Sequence, residues 1–318
     1  MNFFAFCIRH ILDSFRSTSR IVKHYSLVKL NGFSIIFKIF FIRFFNSIPF
    51  IRNFSKPIKR RKLIHSNFFN KSINLFNCVD DIDIDGFSKT FNLKSNYQNK
   101  FLQDIFDCKN LDVKKLKYPI SEVIKKKNEH YNDYCIRLKK MDISRVVGFL
   151  DLSKPTELKK FLTSKELLSI VQSYLNTKTI SISASFFISN PLEISDKKKY
   201  ENAQFFHWDN DFRKFLKLYI YLSDVDENSG PHIFIKHSHK IKKKIHRLCR
   251  LYPDSQIYEN YPSSHIIKFN GKSGSTFFVD SYGLHKGETP IKRSRILLNI
   301  HFGIGKILYN KADISVKI

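Results

Sequence analysis

Phe215-Leu216-Lys217-Leu218-Tyr219-Ile220-Tyr221-Leu222 is a Leu/Tyr/Ile run that reads as a β-strand. It is one of a series. Ile180 to Ile188 is β-rich upstream of it, and Ile233, Ile266 to Phe269, Phe277 to Val279 and Ile296 to Ile300 mark further strands downstream. Turn-forming clusters separate them, notably Asn228-Ser229-Gly230-Pro231 and Asn270-Gly271. Short strands broken by such turns predict an all-β core of antiparallel barrel or jelly-roll type over residues 179–305. No internal repeat is visible.

The chain ahead of this core is different. Residues 100–178 read as a mainly helical layer. Thr163 and Glu166 form a capping box before the apolar run Leu167 to Leu175, and Asn176 reads as the helix stop. Residues 80–86, Asp-Asp-Ile-Asp-Ile-Asp-Gly, mimic the start of a calcium loop through Asp81, Asp83, Asp85 and Gly86. Position twelve of that loop would be Asn92, where a bidentate Glu is needed, so a polar turn is the better reading.

Residues 1–64 carry 13 Lys or Arg and one acidic residue, Asp13. The Phe/Ile-rich stretch from Gly32 to Ile51 is interrupted by Lys38 and Arg43 and by Pro49. Each central charge costs about 2.5–3.5 kcal/mol in a membrane-spanning helix, which argues against a span. A helix lying on a membrane surface, or one packed on the rest of the chain with its basic residues snorkelling to water, fits better. The cluster Lys56, Lys59, Arg60, Arg61, Lys62 reads as a solvated linker or an anionic-surface contact. The organisation is therefore a basic arm (1–64) followed by a single domain (65–318).

The 318 residues carry a net charge of +27, which favours polyanionic partners or anionic membrane surfaces. No nucleic-acid module, zinc-finger spacing or Gly-rich RNA-binding signature is present, so nucleic acid is not the expected partner. Hydrophobic residues make up 42 %, enough for a substantial core. Five scattered cysteines without a CxxC pair, Cys7, Cys78, Cys108, Cys135 and Cys249, fit free thiols in a reducing cytoplasm, with peripheral membrane contact through the arm. No signal peptide is evident, because basic residues follow the apolar residues 1–8 rather than precede them.

The core carries a metal-binding pattern. In Gln204-Phe205-Phe206-His207-Trp208-Asp209, residues 207 and 209 share a face if the segment is extended. An H-x-D pair alone is more often a surface coincidence. Downstream, Gly274-Ser275-Thr276-Phe277-Phe278-Val279-Asp280-Ser281-Tyr282-Gly283-Leu284-His285 reads as a strand and turn presenting His285. Two imidazoles and one carboxylate on one octahedral face suit Fe(II) and leave three positions for cosubstrate and O₂. Ten residues on, Arg295 opens the next strand, and its forked donors match a carboxylate. Arg293 competes for this role, but Arg295 begins the apolar run.

Residues 204–302 resemble the phytanoyl-CoA dioxygenase family of iron- and 2-oxoglutarate-dependent oxygenases. Phe215 to Val225 resembles the strand after its H-x-D. Asn228-Ser229-Gly230-Pro231-His232-Ile233-Phe234 is similar to its "NGPH" turn, and Ser238-His239-Lys240 to its "GSHK" end. The resemblance implies a double-stranded β-helix (cupin-like jelly roll) with flanking helices. It implies His207, Asp209 and His285 as catalytic iron ligands and Arg295 as the 2-oxoglutarate-binding residue. It further implies hydroxylation of a small-molecule or lipid/acyl-type substrate by O₂, with succinate and CO₂ as co-products. Related halogenases lack the carboxylate, so Asp209 points to hydroxylation. Lys236-His237 departs from the family's Pro-Gly, and the basic arm has no family counterpart.

Other features have plainer readings. His232, His237 and His239 are clustered as a zinc site would be, but they fall in a strand and turn that the family keeps for structure. His246, His265 and His301 read as core or surface residues. Trp208, between two ligands, should face away from the metal. The competing functional readings are a catalytically silent β-helix protein that binds an anionic glycan, lipid or partner through its basic surface, and a zinc or manganese cupin-like enzyme, which leaves Arg295 unexplained.

Overall fold

The computed structural model describes residues 63–64, 67–70, 73–112, 118–202, 204–209, 214–247, 251–304 and 314–317. The basic arm, but for its last two residues, and with it Cys7, lies outside the described residues, as does Cys249.

The strands are β1 (Leu63–Ile64), β2 (Ile73–Asn74), β3 (Phe91–Asn92), β4 (Arg145–Leu150), β5 (Thr179–Ser189), β6 (Phe206–His207), β7 (Phe215–Tyr221), β8 (His232–Ile235), β9 (Leu251–Tyr252), β10 (Ile266–Phe269), β11 (Ser275–Val279), β12 (His285–Gly287), β13 (Arg295–Ile304) and β14 (Ile314–Lys317). The helices used below are α1 (Leu75–Asp85), α2 (Ser95–Phe106), α3 (Ile120–Val123), α4 (Tyr131–Lys140), α5 (Glu157–Leu162) and α6 (Lys165–Leu175).

Two antiparallel sheets make the core. The larger runs β14-β5-β13-β7-β11-β3, and the smaller runs β10-β8-β12-β6-β9. β4 and β14 share one edge of β5, with β4 on its second half and β14 on its first. This is the jelly roll predicted from the strand pattern. Period-two alternation explains how each strand is used. Leu216, Leu218 and Ile220 of β7, with Ile296, Leu298 and Ile300 of β13, pack against helical residues such as Leu167, Ile170 and Val171. The opposite faces supply Tyr219, Tyr221, Phe277 and Leu297, which meet Phe234 and Phe269 of the smaller sheet in a second core. Because both faces are covered, β13 reads as an apolar run rather than an alternating one.

Three sequence expectations need correction. The helical layer contains a strand, β4, whose buried residues alternate at Val146, Gly148 and Leu150. The Asp-rich segment is the end of helix α1, not a polar turn. Cys78, Val79 and Ile82 are its buried face, at helical spacing, and the acidic residues lie largely off that face. The helix stops at Gly86 (φ +94°), where an added Cβ would lie 2.6 Å from Phe234 Cζ. The cap of α6 is Ser164, whose hydroxyl accepts from the Leu167 amide, while Thr163 closes α5. Asn176 ends α6 in the left-handed conformation, as read from the sequence.

Candidate metal centre

His207 closes β6 and His285 opens β12, and the two are directly paired across antiparallel strands. Each Nδ1 lies 2.9 Å from a carbonyl two residues back, Phe205 O for His207 and Gly283 O for His285. Donation to those oxygens places the proton on Nδ1 and leaves Nε2 as the lone-pair nitrogen in both rings. Asp209 lies just beyond β6 rather than within it. Its position comes from its amide, which donates to Ser281 O at 2.8 Å. One donor atom each from His207, Asp209 and His285 falls within a 4.8 Å cluster, the one such cluster among the described residues. Asp209 is 7 % exposed and His285 is buried.

The turn that delivers His285 is braced from several sides. The Asp280 amide donates to Gly86 O at 2.8 Å, and the Tyr174 hydroxyl donates to the Asp280 carboxylate at 2.6 Å. The Leu284 amide donates to the Ser238 hydroxyl at 2.7 Å. Ser238 is in turn flanked by residues that cap α1. The His237 amide donates to Asp85 O, the His237 ring bonds Ile84 O and the His239 ring bonds Asp83 O. These are the orphan carbonyls of a helix C-terminus. His237 adopts φ +65°, so the turn keeps a left-handed residue although the sequence has no glycine there. His237 and His239 are therefore structural. His232 is separated from them and faces the interior of the β-core.

Electrostatics keep the cluster in a metal-ready form. Burial alone would raise the Asp209 carboxyl, but the Lys217 ammonium beside it outweighs this and holds the group well below the usual carboxylate range. Burial, with the neighbouring His207, pushes His285 down to about 3, so its imidazole is neutral at physiological pH. Two nitrogen lone pairs and one ionised carboxylate form a donor set that fits a ferrous ion.

Arg295 is the first residue of β13 and is 4 % exposed. Its Nε and Nη1 are buried with no hydrogen-bond partner. Its Nη2 lies 3.0 Å from where a Cβ on Gly287 would sit, so the guanidinium crosses β12 two residues from His285 at the one place without a side chain. A buried guanidinium with unmet donors beside the cluster fits the far carboxylate of a keto-diacid. Arg293 is an exposed partner of Asp226 and takes no part.

Four residues near the cluster escaped the sequence reading or were read only as structure. Lys217 stands on the inward face of β7, in line with Tyr219 and Tyr221, and its Nζ is 2.6 Å from Asp209 Oδ2. Arg145, Ser189 and Arg295 form one row across β4, β5 and β13. The Arg145 guanidinium lies 4.3 Å from the Phe187 ring centre and donates to Asn202 O. Burial, with Arg295 nearby, pushes it down to about 10. The Tyr219 and His232 rings lie tilted against each other, 4.6 Å centre to centre. A lysine breaking an apolar strand at an inward position was the available signal for Lys217. Trp208 faces away from the cluster, packing on Tyr282 at 5.4 Å.

Residues 142–291 match the family model described as phytanoyl-CoA dioxygenase (PhyH). The match spans His207, Asp209 and His285 and ends before Arg295. No curated protein matches the chain. Among solved structures, AviO1 from Streptomyces viridochromogenes Tue57 overlaps 74 % of this chain and 98 % of its own at 10 % identity and TM-score 0.46. HygX from Streptomyces hygroscopicus, with nickel and 2-oxoglutarate bound, overlaps 71 % and 85 % at 12 % identity and TM-score 0.46. EctD from S. alaskensis, with bound Fe, overlaps 78 % and 83 % at 13 % identity and TM-score 0.43. The part of the chain that carries the cluster, residues 142–291, is thus similar to the phytanoyl-CoA dioxygenase (PhyH) family, a family of iron- and 2-oxoglutarate-dependent oxygenases.

Proposed function

We propose that this chain hydroxylates a small-molecule or lipid/acyl-type substrate, holding Fe(II) through His207, Asp209 and His285 and 2-oxoglutarate through Arg295. The observation that carries the reading is the pairing of a largely buried His/Asp/His cluster with a buried, unpartnered guanidinium that reaches Gly287 on the strand of His285. Bound iron supplies the O₂-activating chemistry that couples oxidative decarboxylation of 2-oxoglutarate, to succinate and CO₂, with C–H oxidation. The protein's own share is positional. The two Nδ1 bonds fix the imidazoles, Lys217 holds the Asp209 carboxylate, and Arg295 orients the keto-diacid. Tyr219, Tyr221, Phe277 and Leu297 form the apolar packing between the two sheets. The presence of Asp209 favours hydroxylation over halogenation.

The net charge of +27 favours an anionic or membrane-associated substrate. Among the described residues no helix is long and apolar enough to cross a membrane. Cys78, Cys108 and Cys135 are free, which fits a reducing compartment.

The test uses the purified full-length chain with Fe(II), 2-oxoglutarate and O₂, read as succinate. Release of succinate that His207→Ala abolishes supports the reading. A chain that binds neither Fe(II) nor 2-oxoglutarate, yet still binds anionic vesicles or heparin after loss of His207 and Asp209, is instead a silent β-helix binding protein.

A further inference from the structure

Alternation along β8 sends Phe234 into the core between the sheets and Ile233 and Ile235 into a separate cluster. His232 shares the face of Phe234. Its ring lies 4.6 Å from Tyr219, 5.4 Å from His285, 5.8 Å from Phe269 and 6.0 Å from Phe277, centre to centre. It is 3 % exposed. Its Nε2 is buried and makes no hydrogen bond.

Strand register places this imidazole with respect to both proposed ligand-holding groups. His232 pairs with Gly287, and Phe234 pairs with His285. Gly287 is the residue that the Arg295 guanidinium crosses. His232 therefore flanks the span between the metal cluster and Arg295. A molecule reaching from one to the other must pass it. Packing does not require a nitrogen here, since the neighbours are aromatic rings and a phenyl group would fill the same space. A buried polar atom without a partner is unfavourable and calls for a ligand or an ordered water. A neutral imidazole whose Nε2 carries the proton offers one donor, and each end of 2-oxoglutarate is a carboxylate that accepts.

Resting on the function proposed above, we propose that His232 is a positioning residue for the cosubstrate, donating a hydrogen bond from Nε2 to a carboxylate of 2-oxoglutarate. It supplements Arg295 and needs no change of charge. The role is distinct from metal ligation: His232 is not among the residues whose donor atoms form the cluster.

The test separates cosubstrate binding from metal binding in the full chain. Fe(II) affinity is measured by anaerobic calorimetry. 2-Oxoglutarate affinity is measured on the Fe(II)-loaded protein from the visible charge-transfer band of the chelate. His232→Phe keeps the ring and removes the donor; His232→Gln keeps a donor. We expect His232→Phe to raise the 2-oxoglutarate Kd by about 10- to 100-fold, with the Fe(II) Kd changed less than about twofold. His232→Gln should recover most of the loss. An unchanged 2-oxoglutarate Kd in His232→Phe overturns the proposal. So does an equal loss of Fe(II) affinity, or a Gln variant as weak as Phe, because either outcome assigns the residue to packing. A wild-type chain that forms no chelate overturns the proposed function itself, which is a separate failure.

Discussion

Lys217 Nζ sits 2.6 Å from Asp209 Oδ2, the same oxygen that lies 3.5 Å from His285 Nε2. The side chains of this ion pair are about one-tenth exposed, so it is largely desolvated. A carboxylate this deep needs a cation. Without metal the lysine supplies it, and with metal the charge is shared. The pair keeps the Asp209 carboxylate ionised without a metal, as the proposed iron site requires.

Removing the lysine should thus destabilise the metal-free protein. Lys217→Met strands a buried carboxylate, an effect on the order of 3 kcal/mol for pairs of this kind. Chemical denaturation should show the loss in metal-free protein and a smaller gap with saturating Fe(II). An identical loss under both conditions would mean that the metal does not meet Asp209.

Arg295→Gln should act on a different ligand. Truncating a buried group that pairs with a carboxylate costs about 2–5 kcal/mol, so the 2-oxoglutarate Kd should rise roughly 100-fold at about 2.7 kcal/mol. Fe(II) binding should be nearly unchanged. Calorimetry of each ligand separately checks both halves of the statement.

Gly86→Ala tests the support beneath the site. The position has φ +94°, and a Cβ would meet the Phe234 ring at 2.6 Å. Strain plus displacement of Phe234 should cost about 2 kcal/mol or more. Because the Asp280 amide bonds Gly86 O, the turn carrying His285 should loosen as well. A stability loss accompanied by weaker Fe(II) binding is the expected pair of results.

His246 gives a pH prediction that does not involve the cluster residues. It is buried against Tyr261 and Tyr252, and burial, with Lys243 nearby, pushes it down to about 4. An unfolded histidine titrates near 6.5. As pH falls from about 6.5 towards 4, the unfolded chain takes up a proton that the folded chain refuses, so stability falls with pH. Thermal midpoints at pH 7.5 and pH 5 should lie closer together in His246→Phe than in the wild type.

The strands and the metal pattern were legible because they are local. β-Rich runs bounded by turn-forming clusters marked β5, β7 and β10 almost to the residue, and the H-x-D spacing brought His207 and Asp209 to one side even though β6 ends at His207. What the sequence hid depends on register or on competition between signals. β4 is six residues long and lies among helices, so its alternation was lost in a helical background. The Asp-rich end of α1 looked like a loop because charge dominated the reading, whereas Cys78, Val79 and Ile82 decide its fold. The cap shifted by one residue because Thr163 and Ser164 offer equivalent hydroxyls. Lys217, Arg145 and His232 reach the site only through strand pairing, which a single sequence does not display.

Anaerobic addition of 2-oxoglutarate to the Fe(II)-loaded chain, followed by its visible charge-transfer band, tests the central claim most directly. A saturable band is expected in the wild type, absent in His207→Ala and needing far more 2-oxoglutarate in Arg295→Gln. No band in the wild type, or an equally strong one in His207→Ala, would contradict it.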